Sequence, residues 1–330
     1  MTKQTTGELA IDAVGLIKRF GDQQVVDGIS LQVKRGTIYG FLGPNGAGKT
    51  TTIKMLATLL RPDGGTATVM GHDLLQDADG VRQCISLTGQ FASVDEEMSG
   101  RENLILIARL VGFTRHGAKQ RADDLLRAFR LEEAADRQVK KYSGGMRRRI
   151  DIAASIVTAP DLLFLDEPTT GLDPRSRNQV WDIIRALVRS GTTVFLTTQY
   201  LEEADQLADR IGVIDHGRLI AEGTSSELKA MVGAGRLTVH LQAVGDLSTA
   251  RRILEEITGQ PVEADDRSQR LIAQIADHGE AAAALSRLVL EGLAISDFSM
   301  GQPSLDEVFL TLTGKPAQEE GEEAHADQAG

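Results

Sequence analysis

The sequence predicts an α/β fold followed by a smaller α+β module, and three observations carry that prediction. From Leu9 to about Glu222, short β-branched or aromatic runs alternate with helical patterns, as in a domain built on a largely parallel sheet. Three runs within it, Ile38 to Leu42, Leu162 to Asp166 and Thr193 to Thr198, read as buried central strands followed by polar residues, at the end where open α/β sheets place their ligands. After Thr224-Ser225-Ser226 the order becomes strand, helix, strand, strand, helix, strand.

In that second part, Arg236 to Ala243 alternates Leu237, Val239 and Leu241 with polar residues, and Ala250 to Ile257 is helical. Leu271 to Ile275 alternates again before an Ala-rich helix around Ala281 to Leu290, which together suggest a ferredoxin-like split βαβ module. Ser304-Leu305-Asp306-Glu307 offers a capping box for a last helix with Leu305, Val308, Phe309 and Leu312 on one stripe. Beyond Lys315 the residues are Glu, Ala, Gln and Gly with little to bury, and disorder is expected. The expected division is therefore a first domain over 1–230, a second over 231–315 and an acidic tail over 316–330; a length of 330 residues fits two domains.

Thirty-six basic against forty-seven acidic side chains give a net charge of −11, which argues against coating nucleic acid. The lone Cys84 forms no intrachain disulfide and reads as packing in a reducing compartment. The N-terminus lacks the apolar core of a secretory signal, and no run approaches the roughly 20 apolar residues that cross a bilayer. A partner is expected to supply any membrane spans. None of the six histidines pairs with Cys or His at metal-ligand spacing.

Gly43-Pro44-Asn45-Gly46-Ala47-Gly48-Lys49-Thr50 fits G-x-x-x-x-G-K-[ST], follows a predicted strand and opens a helical segment, the context the motif requires. Its glycines let backbone N–H groups face phosphates, Lys49 reaches the β and γ phosphates, and Thr50 offers its hydroxyl to Mg²⁺; Thr51 follows in the same turn. Leu162 to Glu167 is an apolar strand ending in two carboxylates. Alone such a pair is more often a loop or cap, but beside a phosphate loop Asp166 is expected to hold Mg²⁺ and Glu167 to orient or deprotonate the attacking water. Ser143-Gly144-Gly145 opens a second anion-ready helix, which makes sense if it serves a different nucleotide face in a head-to-tail pair of subunits. The cations around it, Lys140, Lys141, Arg147, Arg148 and Arg149, read as a solvated or anion-facing helix start. Glu202 and Glu203 read as acids charging the first turn of a further helix.

With the phosphate loop, Tyr142-Ser143-Gly144-Gly145, Leu165-Asp166-Glu167-Pro168 and Gly171-Leu172-Asp173 in that order, the chain resembles the ATPase subunits of ABC transporters over roughly residues 9 to 230. The resemblance implies a P-loop NTPase fold and a homodimer in the ATP-bound state, with ATP held between the phosphate loop of one subunit and Ser143, Gly144 and Gly145 of the other. Phe20, in Lys18-Arg19-Phe20-Gly21, matches the aromatic that stacks on adenine, while the residue alone reads equally well as core. Gln90 matches the glutamine that touches Mg²⁺ and water and faces the membrane partner. Gln199 replaces the family's switch histidine; its amide can hydrogen-bond the γ-phosphate but lacks imidazole proton chemistry, so slow hydrolysis with intact binding is expected.

A closer resemblance is to the ATP-binding subunits of daunorubicin-resistance-type exporters, carried by Thr88-Gly89-Gln90, Tyr142 to Arg149, Thr197-Thr198-Gln199-Tyr200 and Ser304 to Leu310. It implies a bacterial subunit peripheral to the cytoplasmic face of the membrane, docked on a separate integral-membrane permease and using ATP and Mg²⁺ to export a drug-like molecule. The rival is a soluble ABC ATPase clamping ribosomes or DNA, for which two cassettes or long coiled coils are the usual marks; here there is one phosphate loop and no sustained heptads. The second module carries no catalytic constellation, and its apolar last helix suggests an assembly or regulatory role.

Overall fold

A computed structural model describes residues 9–89, 94–231, 235–242, 246–265, 268–301 and 304–314. Gln90 and the acidic tail lie outside the described residues. The chain forms two compact units that part between Glu222 and Gly223.

The first unit is organised by a six-stranded sheet in the order Arg218–Gly223, Arg210–Asp215, Ile38–Leu42, Thr193–Thr198, Leu162–Asp166, Ile85–Thr88. Ile38–Leu42 runs parallel to both its neighbours, and so does Leu162–Asp166. Side chains alternate between sheet faces. Phe41, Phe164 and Phe195 therefore enter one core with Ile53 and Leu56 of the helix Lys49–Leu56. Leu163, Leu165, Val194 and Leu196 enter a second core with Ile150 and Ile184, from the helices Gly144–Ser155 and Pro174–Arg189. Both faces are covered, which is why these runs read as apolar throughout.

The parallel sheet does not account for the first strands. Leu9–Phe20, Gln23–Lys34, Gly64–Val69 and His72–Asp73 form a separate antiparallel sheet. Only Gly21 and Asp22 join the first two, and so short a link permits only an antiparallel return.

In the second unit, Gly235–Leu241, Glu263–Asp265, Arg270–Ile275 and Ile295–Gly301 pair with the first strand flanked by the third and fourth and the second outside the third, the ferredoxin-like order. Leu237, Val239 and Leu271 pack with Leu254 and Leu288 of the helices Leu247–Thr258 and His278–Leu290. The helix Ser225–Ala230, boxed by Thr224 and Glu227, packs on the last helix Leu305–Thr313, so the unit begins earlier than the expected residue 231. At that last helix Ser304 accepts from the Glu307 N–H, but the Glu307 carboxylate pairs with Arg236 at 3.4 Å. Leu305, Val308 and Phe309 are buried, whereas Leu312 is partly exposed.

Candidate active site

The three buried parallel strands deliver their following residues to one edge of the sheet, and the chemistry collects there. After Ile38–Leu42 the chain turns through Gly43–Gly48 into the helix that Lys49 begins. Gly43 is required because a Cβ would lie 2.3 Å from the Ile214 carbonyl oxygen, and Gly48 because it sits at φ +105 against the Val25 carbonyl. Pro44, Asn45, Gly46 and Ala47 form the bend between them, closed by the Ala47 N–H donating to Pro44 O at 3.2 Å. The N–H groups of a first helical turn have no intrahelical acceptors, so the turn containing Lys49, Thr50 and Thr51 is suited to an anion.

Lys49 is buried, and its ammonium donates to the carbonyls of Gly43 at 2.7 Å and Pro44 at 3.2 Å. Glu167 Oε1 lies 3.2 Å from the same nitrogen. Burial pushes the Lys49 pKa down, and the carboxylates of Glu167 and Asp166 oppose that shift. Thr50 donates to Asp166 Oδ2 at 2.9 Å, and the Thr197 hydroxyl donates to Asp166 Oδ1. The Glu167 N–H donates to Thr197 O at 3.1 Å. Glu167 sits at φ +48, a left-handed conformation that costs roughly 1–2 kcal/mol for a side chain with a Cβ. Gln199, just past the neighbouring strand, has a buried amide oxygen with no hydrogen-bond partner among the described residues.

Other expected residues stand apart from this cluster. Phe20 ends the first strand and is half exposed, with the Lys18 ammonium 5.6 Å from its ring centroid, which removes its reading as core. Ser143 caps the helix Gly144–Ser155, accepting from Met146 N at 3.3 Å. A Cβ on Gly145 would meet the Ser176 side chain at 2.4 Å, so this turn packs on the segment after Gly171. Among the described residues no hydrogen bond or ion pair joins Ser143, Gly144 or Gly145 to the loop Gly43–Thr50.

Three charged residues depart from their sequence reading; Arg149 donates to the carbonyls of Phe129 at 3.0 Å and Arg130 at 3.2 Å. Arg148 is not a solvated cation; its guanidinium donates to the carbonyls of Pro168 at 2.8 Å, Gly89 at 3.1 Å and Asp166 at 3.2 Å. Glu203 is in a first helical turn, but its carboxylate is buried and accepts from Thr169 Oγ1 at 2.8 Å and Trp181 Nε1 at 3.1 Å. Burial raises the Glu203 pKa, against those donors and the nearby Arg148 charge. The surplus of apolar neighbours at Leu201, Ala204 and Leu207 was the only hint that this helix turns inward.

A buried lysine in a glycine-walled turn, a threonine hydroxyl on an aspartate and a glutamate beside them are gathered at one strand edge of an α/β fold, the groups that nucleotide-triphosphate chemistry draws on. The ABC transporter family model matches residues 26–170, and a model of the C-terminal domain of DrrA1-3-like ATP-binding proteins matches 223–313. The chain is 57% identical over 319 residues to the daunorubicin/doxorubicin resistance ATP-binding protein DrrA of Streptomyces peucetius, covering 97% of each. It is 39% identical over 310 residues to the Nod factor export ATP-binding protein I of Ralstonia nicotianae, covering 91% of this chain and 92% of that protein. Solved ATP-binding cassettes share the fold: cbiO1 of Clostridium perfringens has a TM-score of 0.63 at 24% identity over 68% of this chain and 91% of its own, and the ATP-binding subunit of another ABC transporter has 0.60 at 27% over 67% and 92%. The chain belongs to the daunorubicin/doxorubicin-resistance ATP-binding proteins of the ABC transporter family. It is an ATPase that binds ATP through its ABC domain.

Proposed function

We propose that this chain is the ATP-hydrolysing subunit of an exporter that moves a drug-like, amphipathic molecule out through a separate permease and so confers resistance. The observation that carries the ATP chemistry is the convergence of Lys49, Thr50, Asp166 and Glu167 at one strand edge, with Lys49 and Glu167 3.2 Å apart. The cargo is inferred from relatives named for daunorubicin and doxorubicin resistance. No helix among the described residues is long and apolar enough to cross a membrane, which is consistent with a subunit docked at the cytoplasmic face of the membrane beside a permease.

In this reading the turn Gly43–Thr51 binds the phosphates, Lys49 neutralises the β and γ charge, and Phe20 stacks on adenine. Glu167 orients and deprotonates the attacking water, and Gln199 offers its buried amide oxygen, without a partner among the described residues, to a proton of that water. The Thr50 hydroxyl and the Asp166 carboxylate, 2.9 Å apart, are hard oxygen donors that fit Mg²⁺, with Gln90 as a further ligand. Bound there, the ion supplies charge neutralisation across the phosphates. Ser143, Gly144 and Gly145 complete the site of a second copy, so the ATP-bound form is a homodimer. The second unit serves assembly or regulation, with the helix Leu305–Thr313 as its contact element.

The test is ATP hydrolysis by the full chain and by Glu167→Gln, with and without membranes carrying a candidate permease. A rate that rises with the permease, beside a variant that binds ATP and barely turns over, supports the reading. Indifference to every permease favours a soluble clamp, and equal rates in the two proteins remove the role of Glu167.

A further inference from the structure

Glu167 occupies a conformation that its own side chain does not favour, since φ +48 suits glycine or asparagine. A residue held there needs restraint from its surroundings. The restraint is visible on both sides. The carbonyl before it, Asp166 O, accepts from Arg148 Nη2 at 3.2 Å, and the one beyond it, Pro168 O, accepts from Arg148 Nε at 2.8 Å. The third arm, Nη1, donates to Gly89 O at 3.1 Å, at the end of the strand Ile85–Thr88. One residue further, Thr169 is tied to the buried Glu203.

Arg148 belongs to the helix Gly144–Ser155, which Ser143 opens. A guanidinium is a planar fork whose N–H directions are fixed relative to one another. Three bonds from one fork therefore set the Asp166 and Pro168 carbonyls against each other and against that helix. Lysine or glutamine in its place could satisfy only part of the set. We propose that Arg148 is a positioning residue, which holds the strained peptide at Glu167 and makes the placement of that carboxylate follow the helix headed by Ser143. The proposal rests on reading Glu167 as the group that handles the attacking water. Its consequence is that a small displacement of the Ser143 helix is passed to Glu167 through backbone carbonyls, with Arg148 itself touching no reacting atom.

A residue that merely stabilised the fold would weaken ATP binding and hydrolysis together, in any background. A residue acting through Glu167 loses its effect once Glu167 is gone, which a double-mutant cycle detects. The experiment compares the full chain with Arg148→Gln, Arg148→Lys, Glu167→Gln and the double variant Arg148→Gln with Glu167→Gln, measuring kcat, the ATP dissociation constant and Tm. Arg148→Gln is expected to lower kcat about tenfold or more, the scale on which sub-ångström misplacement acts, with ATP affinity within about twofold of the parent. Arg148→Lys falls between. In the Glu167→Gln background the loss of Arg148 lowers the residual rate no further.

An undiminished kcat in Arg148→Gln, beside an inactive Glu167→Gln, overturns the proposal alone. A full further loss in the double variant does the same. A wild-type rate in Glu167→Gln overturns the reading of Glu167 and takes the proposal with it. If Arg148→Gln does not fold, Arg148→Lys decides: a several-fold loss of kcat at unchanged ATP affinity, absent when Glu167 is also replaced, supports it, and a parental rate overturns it.

Discussion

The two units are both sheets dressed with helices, yet they treat polar groups in opposite ways. Among the described residues, every buried polar or charged side chain, from Lys49 and Thr52 through Asp166 and Thr197 to Glu203, belongs to the first unit. In the second the buried side chains are apolar: Leu237, Val239, Leu254, Leu271, Leu288 and their neighbours. Strand direction explains much of this. Parallel strands all finish at one edge, so residues 43, 166–167 and 199 converge without long excursions of the chain. In the antiparallel sheet successive neighbours finish at opposite edges and no such convergence follows. The first architecture concentrates polar groups at one edge, and the second encloses an apolar core.

That contrast can be broken in several places. Lys49→Ala is expected to weaken ATP binding or turnover by about 10²–10³-fold while leaving the unfolding of the second unit unchanged, as read by isothermal titration and denaturant melts. The reverse change is Leu271→Ala, which empties a wholly buried site in the second unit and should cost about 2–4 kcal/mol in a urea titration. Its ATP dissociation constant should match the parent; a clear loss of affinity would show that the units are not separable.

Glu203→Gln keeps an oxygen for Thr169 and Trp181 but removes the carboxyl. Because burial raises the Glu203 pKa, the native state holds that proton more tightly than the unfolded chain does. Its stability contribution is full below the ordinary glutamate value and is lost as pH rises through the raised one. The parent should therefore lose stability relative to Glu203→Gln from acid toward neutral pH, and parallel midpoint curves for the two proteins would contradict this. The smallest effect is reserved for Gln199→His, which should raise the hydrolysis rate a few-fold at unchanged ATP affinity; an equal or lower rate removes the account of Gln199 as a slowing substitution.

How far the sequence could be read follows the same divide between what chemistry dictates and what packing decides. The turn Gly43–Thr50 was legible because a cramped, anion-facing bend requires those residue types at that spacing, and the Cβ positions at Gly43 and Gly48 give the reason. The split βαβ order was legible from alternation, although Leu247–Thr258 extends beyond the segment read as helix. Arg148 and Glu203 were not legible. Charged residues at helix starts ordinarily face water, and the groups that draw these two inward, Pro168, Asp166, Thr169 and Trp181, lie 18 to 34 positions away in the chain. The separate antiparallel sheet was missed for a different reason: the two-residue link at Gly21-Asp22 outweighs the general alternation of strand and helix around it.

The indole of Trp181 donates to the same Glu203 oxygen that holds Thr169, two residues past Glu167, and it is the chain's single tryptophan. The protein thus carries its own optical reporter, a single indole whose hydrogen bond to that carboxylate ties its emission to the polarity there. A change in the bonding of that carboxylate can be followed in the unlabelled protein, in real time, with no background from a second indole in the chain.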